Sequence, residues 1–323
     1  MATGMFGAPS GHPKGTPHLG HAQPMPHDER TAILAELTPG HTIVEPAEQA
    51  APFVFCSPHS GRNYPAVLRD SARLDSHTLR KSEDCFVDEL YAGVAELGAP
   101  LIAARFPRAY LDVNREPYEL DPELFGRKLP TYANAQSVRV AGGLGTIARI
   151  VADGEEIYHT PPTLPAALER IERLYRPFHA DLAAMLERTL AKFGIAILID
   201  CHSMPSAAMS QSVGNRPDFV IGDRFGSSCD QRLTRLVRER LSRLGYHVQL
   251  NRPYAGGFIT EHYGRPQSGV HALQIEINRA LYLDEQTLQT TSGFPRLKKD
   301  LKALCRHMFA EFSPPAIRRD AAE

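Results

Sequence analysis

Two histidines follow apolar segments whose composition is typical of buried strands. His59 comes shortly after residues 53–56, and His202 comes shortly after residues 195–199. Continuous apolar runs of this length predict strands that are covered on both faces, as in a parallel sheet between layers of helices. Ligands bind outside the carboxyl ends of such strands. We therefore expect the two imidazoles to converge on one metal ion, although either histidine alone could be a structural residue of its turn.

A hydrolytic zinc ion has three protein ligands and keeps one position open for water. Glu83 and Asp84 are the nearest candidates for a carboxylate as the third ligand. Both also follow Ser82, a predicted helix N-cap, where carboxylates would simply complement the helix dipole. Cys201 is not expected to take part, because successive residues of a strand face opposite sides and it would point away from the side that His202 uses.

Glu276 is an acidic residue within the otherwise apolar segment 273–277. A buried carboxylate is unfavourable without a partner, so Glu276 either pairs with Arg279 or faces a polar cavity. In a cavity, desolvation would raise its pKa. It could then take a proton from an activated water molecule and pass that proton to a leaving nitrogen.

Three further polar residues, Arg108, Asn114 and Arg115, follow the predicted strand over residues 100–105. Arginine binds carboxylates through two parallel hydrogen bonds, and a neighbouring asparagine supplies another donor. The group is therefore a candidate binding site for a substrate carboxylate. Ion pairing on the surface is the alternative explanation.

The elements that must position these residues alternate between strands and helices. Apolar runs predict strands, and apolar residues at helical spacing predict helices over residues 83–97, 165–193, 229–244 and 293–312. This alternation predicts an α/β fold, a three-layer α/β/α sandwich around a mostly parallel mixed sheet. Residues 116–165 show no clear period, and so long an irregular region often belongs to a binding site.

Composition restricts the partners of this 323-residue chain. Its 36 basic and 37 acidic residues nearly balance, which gives no support for a nucleic-acid or anionic-membrane partner. No apolar run approaches the roughly 20 residues of a membrane span, and the N-terminus lacks the apolar part of a secretory signal. Five scattered cysteines without a CxxC pair fit a reducing compartment. The predicted location is the cytoplasm.

The predicted domain organisation has three parts. Residues 1–30, rich in Gly, Pro and His, predict a disordered tail that could bind metal adventitiously. Residues 31–313 are expected to form a single α/β domain, and residues 314–323 a frayed C-terminus.

Most of residues 50–285 resemble the N-formylglutamate amidohydrolase family. The motifs that carry the resemblance are Pro58-His59-Ser60-Gly61, Asp84, Arg108 with Leu111-Asp112-Val113-Asn114-Arg115, Tyr175-Arg176-Pro177-Phe178-His179, Asp200-Cys201-His202-Ser203, Gly256-Gly257-Phe258-Ile259-Thr260 with His262-Tyr263-Gly264, and Gln274-Ile275-Glu276. The resemblance implies a phosphorylase/hydrolase-like fold similar to that of zinc carboxypeptidases, with one zinc ion per chain.

The resemblance also implies roles for individual residues. These roles are zinc ligation by His59, Asp84 (in preference to Glu83) and His202, general base catalysis by Glu276, polarisation of the scissile carbonyl by Arg108, and binding of the substrate α-carboxylate by Asn114 and Arg115. Two positions depart from the expected pattern. Position 62 is arginine, so the His-x-x-Glu spacing of true carboxypeptidases is absent, and Glu261 stands where an arginine is expected before His-Tyr-Gly.

The predicted function is that of a zinc-dependent amidohydrolase acting on a small acylamino acid. The simplest substrate is N-formyl-L-glutamate, which would give formate and L-glutamate in histidine catabolism. Another N-acyl amino acid or a peptide carboxy-terminus is an alternative substrate. A ligand-binding homologue without catalysis is the alternative from another class. The oligomeric state is not predicted.

Overall fold

The computed structural model describes residues 29–126, 129–151, 154–208 and 216–313. The predicted N-terminal tail lies outside these residues except for Glu29 and Arg30, which begin the first helix, α1 (Glu29–Glu36). The predicted frayed C-terminus, residues 314–323, also lies outside them. The assignment of residues 31–313 to one domain stays a prediction.

A seven-stranded mixed sheet forms the middle layer. Its strands in chain order are β1 (His41–Val44), β2 (Phe53–Ser57), β3 (Leu101–Ala104), β4 (Ala196–Met204), β5 (Phe219–Gly222), β6 (Val248–Leu250) and β7 (Val270–Asn278). The spatial order is β1-β3-β2-β4-β7-β5-β6. Pairing is parallel from β3 through β2 and β4 to β7, and antiparallel where β1 meets β3 and β5 meets β7. The prediction of a mostly parallel mixed sheet is confirmed.

Helices cover both faces of the sheet. They are α2 (Ala66–Ser71), α3 (Ser76–Arg80), α4 (Val87–Tyr91), α5 (Pro122–Phe125), α6 (Val138–Ala141), α7 (Leu164–Arg170), α8 (Arg176–Phe193), α9 (Gln231–Arg243), α10 (Phe258–Tyr263) and α11 (Gly293–Phe312), and a two-stranded ribbon of β8 (Leu283–Asp284) and β9 (Gln289–Thr290) precedes α11. One apolar core includes residues of α1, α7 and α8, and a second core includes residues of α4, α9 and α11. The three-layer prediction is therefore confirmed.

Alternation along β4 assigns each side chain to one of these cores. Leu198 packs in the core under α8, whereas Ile199 and Cys201 pack in the core under α11. His202 has the parity of Leu198 and so lies on the opposite face from Cys201, as predicted. The prediction that His202 stands beyond the strand is wrong, because β4 extends to Met204.

The helix after Ser82 begins later than predicted. It begins at Val87, after Phe86 in a left-handed conformation with a φ of 60°. Ser82 is not its N-cap, since the Ser82 hydroxyl donates to the carbonyl of Leu79 at 3.0 Å. Asp84 therefore lies before the helix, and complementing the dipole in its first turn does not explain this residue.

Candidate active site and metal centre

His59 is held in a tight turn after β2. The backbone of Gly61 approaches the loop after β3 so closely that a Cβ atom there would lie 2.0 Å from the carbonyl oxygen of Phe106. Only glycine permits this approach, which explains its place in the Pro-His-Ser-Gly segment. The amide of Asp84 donates to the carbonyl of His59 at 3.0 Å. Two segments distant in sequence are thus joined.

Sheet register brings His202 and Glu276 side by side. The two residues are direct partners across the parallel pair β4 and β7, as are Asp200 and Gln274. All four side chains share the parity of Leu198 and face away from the core under α11. Because β2, β4 and β7 are adjacent and point the same way, their carboxyl ends meet at one edge of the sheet, where the His59 turn also lies.

Side chains of His59, Asp84 and His202 meet at this edge and form a group that could hold a metal ion. Their ligand atoms lie within 4.8 Å of one another, and all three residues are buried. Oδ2 of Asp84 is 2.9 Å from Nδ1 of His202 and 3.5 Å from Nδ1 of His59. Nδ1 of His59 is buried without a hydrogen-bond partner among the described residues. A cation would satisfy it, and two imidazole nitrogens with one carboxylate oxygen are ligands that hydrolytic zinc prefers.

The Nε2 atoms of the two imidazoles, on the side away from Oδ2 of Asp84, lie against carboxylates. Nε2 of His59 lies 2.8 Å from Oδ1 of Asp112, and Nε2 of His202 lies 2.9 Å from Oδ1 of Asp200. A carboxylate in this position keeps the proton on Nε2 and leaves Nδ1 free to bind a metal. The hydroxyl of Thr260 donates to the other oxygen of Asp200 at 3.1 Å.

Asp84, rather than Glu83, contributes the carboxylate of this group. Its second oxygen, Oδ1, accepts hydrogen bonds from Ser203 at 3.1 Å and from Arg279 at 3.3 Å, so Oδ2 is the atom that faces the histidines. The carboxylate of Glu83 is bound elsewhere, by the hydroxyl of Tyr64 at 2.7 Å and by the guanidinium of its neighbour Arg80.

Electrostatics in this group favour a proton on the imidazole of His202 when no cation is bound. Burial alone would lower the pKa of His202, but the carboxylates of Asp200 and Asp84 outweigh burial and raise that pKa well above its usual value. Burial likewise opposes ionisation of Asp84, yet the hydrogen bond from His202 and the nearby imidazole of His59 hold the pKa of this carboxyl well below its usual range. A metal ion must therefore displace a proton when it binds.

Glu276 faces a cavity of about 720 Å³ that His59, Asp84 and His202 also line. Burial is the main cause that raises the pKa of Glu276 to about 7, with the positive charge of His202 acting against it. Its Oε1 accepts a hydrogen bond from Gln274 at 2.9 Å. Of the two explanations from the sequence, the polar cavity is the one observed, since Arg279 pairs with Asp84.

Arg108, Asn114 and Arg115 line the same cavity and are not a surface ion-pair cluster. Asn114 is buried, and its Oδ1 accepts a hydrogen bond from the amide of Ile259 at 2.8 Å. Asp112 connects the two arginines to His59. Its Oδ1 lies against Nε2 of His59, and its Oδ2 lies 2.9 Å from Nε of Arg108 and 3.5 Å from Nη2 of Arg115. The structure thus brings all seven predicted site residues to one cavity.

Comparisons with known proteins match the part of the chain that contains these site residues. A sequence profile described as N-formylglutamate amidohydrolase matches residues 51–283. The N-formylglutamate deformylase of Pseudomonas aeruginosa is 34% identical over 240 residues, which cover 73% of this chain and 83% of the relative. That of Pseudomonas putida is 31% identical over 238 residues, 72% of this chain and 82% of the relative. The chain belongs to the N-formylglutamate amidohydrolase family.

A solved member of the N-formylglutamate amidohydrolase family has the same fold. The crystal structure of the enzyme from Ralstonia eutropha has a TM-score of 0.80 and 36% identity, and the match covers 84% of this chain and 98% of that one. A gene product of Agrobacterium tumefaciens, with a TM-score of 0.59 and 17% identity over 84% of this chain and 95% of that one, shares the fold alone. The chain is accordingly an amidohydrolase that acts on a linear amide.

The position that departs from the expected family pattern, Glu261, forms an ion pair. Its carboxylate lies 2.8 Å from Nη2 of Arg224, which lines the cavity. Two functional neighbours, Asp112 and Asp200, were not proposed from the sequence, although each lies two residues before a predicted site residue. Period-two spacing along β4 is the signal that could identify Asp200 from His202. Asp112 lies outside the strands, where that spacing does not apply. Among the residues that the structure describes, no helix has the length and apolarity to cross a membrane.

Proposed function

We propose that this amidohydrolase cleaves N-formyl-L-glutamate to formate and L-glutamate and that it uses zinc. One observation carries the proposal: a buried group of His59, Asp84 and His202 shares a cavity with a carboxyl group whose pKa is near neutral and with arginines suited to carboxylates. The names of the relatives from two Pseudomonas species support the substrate. The product glutamate fits a step in histidine catabolism in the cytoplasm.

The zinc ligands in this proposal are Nδ1 of His59, Nδ1 of His202 and Oδ2 of Asp84. Zinc at this position would supply Lewis-acid polarisation of the formyl carbonyl and would lower the pKa of water. Asp112 and Asp200 hold the two imidazoles in the required tautomer.

Glu276 acts as the proton carrier. With a pKa of about 7, its carboxylate is ionised in a substantial fraction of molecules at neutral pH and can accept the proton of the attacking water. The same group then donates that proton to the amide nitrogen as the C–N bond breaks. Gln274 orients the carboxylate through the bond to Oε1.

Arg108 and the pair Asn114 and Arg115 bind the substrate. Arg108 uses Nε for Asp112, which leaves its terminal nitrogens for the developing oxyanion. Arg115 donates to the carbonyls of Leu144 and Asn114 at 2.8 Å each, so its fork is fixed before substrate arrives. A fixed fork loses little entropy when it binds a carboxylate.

Metal content and formate release test the proposal together. We expect purified protein to bind one zinc ion per chain and to release formate from N-formyl-L-glutamate, with loss of turnover on chelation and recovery with zinc. His202→Ala should lose both zinc and turnover. An active His202→Ala enzyme without metal would contradict the assignment, and binding of N-formylglutamate without any turnover would favour the non-catalytic alternative.

A further inference from the structure

Arg139 is a cavity arginine without an acidic partner. It lies on α6, is partly buried, and lines the same cavity as His59 and Glu276. Across the described ranges, its guanidinium has no ion pair and no hydrogen bond. A guanidinium without a partner in the protein is free to bind an anionic ligand.

Other arginines of the cavity differ from Arg139 in this respect. Arg108 pairs with Asp112 at 2.9 Å, Arg279 with Asp84 at 3.3 Å, and Arg224 with Glu261 at 2.8 Å. Each of these three charges is already balanced by a carboxylate of the protein. Among the arginines that line the cavity, Arg139 alone has no carboxylate partner in the described part of the chain, so its charge is available to an anion from outside. Lys81, which also lines the cavity, likewise has no carboxylate partner there.

Backbone contacts fasten the segment of Arg139 to Arg115. Nε of Arg115 donates to the carbonyl of Leu144 at 2.8 Å, and the amide of Leu144 donates to the carbonyl of Arg139 at 2.8 Å. At the other end of α6, the hydroxyl of Ser137 accepts from the amide of Val140 at 3.1 Å. The backbone of Arg139 is therefore fixed relative to Arg115, the residue proposed to bind the first carboxylate.

The two arginines are close enough to repel each other. Burial is the main cause that lowers the pKa of Arg115 to about 10, and the positive charges of Arg108 and Arg139 add to the effect, against the carboxylate of Asp112. An anion bound at this wall of the cavity would relieve the repulsion. A substrate with two carboxylates would supply one for Arg115 and a second for its neighbour.

We infer that Arg139 binds the side-chain carboxylate of an N-formyl dicarboxylic amino acid, while Asn114 and Arg115 hold the α-carboxylate. The inference rests on the proposed function and names the residue that selects glutamate over neutral amino acids. In N-formylglutamate, two methylenes separate the α-carbon from the second carboxylate, so both anions can reach adjacent arginines of one wall.

The test compares Arg139→Met with the wild type on N-formyl-L-glutamate and on N-formyl-L-glutamine, its neutral isostere. We expect kcat/KM for N-formylglutamate to fall about 10²-fold, because an arginine that pairs with a desolvated carboxylate contributes on that order. The value for N-formylglutamine should change less than about 3-fold. Arg139→Lys should recover part of the loss, since it keeps the charge without the fork.

Arg238→Met is the matched control. Arg238 is exposed on α9, does not line the cavity, and its replacement makes the same change in net charge. Arg238→Met should leave kcat/KM for both substrates unchanged. Equal losses on the two substrates in Arg139→Met, or no loss on either, would overturn the inference. So would a selective loss in Arg224→Met with Arg139→Met unaffected, because Arg224 would then bind the second carboxylate.

Binding without turnover separates this inference from the proposed function. Calorimetric titration with L-glutamate and with L-glutamine measures recognition of the second carboxylate alone. We expect Arg139→Met to lose the preference for glutamate. If the wild type releases no formate, the proposed function fails, while a preference for glutamate that depends on Arg139 would still support the dicarboxylate site. If Arg139→Met keeps both the affinity for glutamate and the preference over glutamine, the inference is overturned.

Discussion

Asp112 is a residue on which two parts of the site depend. One of its oxygens lies against His59, and the other lies against Arg108 and Arg115. The carboxylate is buried, and its pKa is held well below the usual range because the charges of Arg115, His59 and Arg108 outweigh burial. It orients a proposed zinc ligand and two proposed substrate-binding arginines together.

Asp112→Asn should weaken zinc binding about 10- to 100-fold, since the amide no longer holds the proton on Nε2 of His59. Competition with a chromophoric chelator measures the dissociation constant directly. Asp70→Asn, which changes an exposed aspartate, is the control. Unchanged zinc affinity in a folded Asp112→Asn protein would show that Asp112 does not position the ligand.

Glu276→Gln separates proton transfer from metal binding. The amide occupies the same space beside Gln274 but cannot accept a proton, so kcat should fall about 10²- to 10⁴-fold while zinc content stays at the wild-type level. Formate release and metal analysis on the same sample check both values. Turnover within a few-fold of the wild type would exclude Glu276 as the proton carrier.

Turns and loops, as well as strands, bring the active-site side chains together. The turn before α10 passes beside Asn114, and a Cβ atom at Gly257 would lie 2.5 Å from Nδ2 of that side chain. Asn114 has little freedom to move, because its Oδ1 is bound by the amide of Ile259 at 2.8 Å. The glycine therefore protects the position of a proposed substrate ligand.

Gly257→Ala should raise KM about 10-fold or more with a smaller effect on kcat, because displacing a positioning group by a fraction of an ångström weakens alignment. Gly93→Ala is the control, since the new Cβ would meet only the flexible end of Lys302, at 3.3 Å. Steady-state kinetics on N-formylglutamate measure KM and kcat for both variants. Equal KM values for the two variants would mean that Asn114 does not bind substrate.

At the scale of the whole molecule, His179 connects three segments that are distant in sequence. From α8, its Nε2 donates to the carbonyl of Val113 at 2.8 Å, and its Nδ1 lies 2.9 Å from the hydroxyl of Tyr263 on α10. Burial lowers the pKa of His179 to about 4. Its neutral form therefore belongs to the folded state, and protonation opposes folding.

Stability should fall as the pH drops from about 6.5 towards 4, since the unfolded chain binds the proton of His179 first. Between pH 7 and pH 5, this histidine should remove about 2 kcal/mol from the free energy of unfolding, and His179→Gln should lack that contribution. Urea unfolding at both pH values measures the difference. His77→Gln, at an exposed position, should keep the wild-type dependence. An identical pH dependence in His179→Gln would refute the buried neutral imidazole.

The amino-acid sequence by itself determined the alternation of strands and helices, the mixed sheet between two helical layers, and the segments that carry the site. These features follow from local periodicity and from short motifs. The helix over residues 293–312, for example, is found within those bounds as α11. The family resemblance likewise rested on spaced motifs and is confirmed by the match over residues 51–283.

Tertiary structure alone decided which atoms meet. That Asp84 rather than Glu83 faces the histidines depends on Tyr64 and Arg80, which bind the other carboxylate. That Glu276 stands beside His202 depends on the adjacency of β4 and β7. The unpaired charge of Arg139 could not be recognised in an aperiodic segment. Sequence patterns record the preferences of neighbouring residues, whereas strand order and register join residues that lie far apart in the chain.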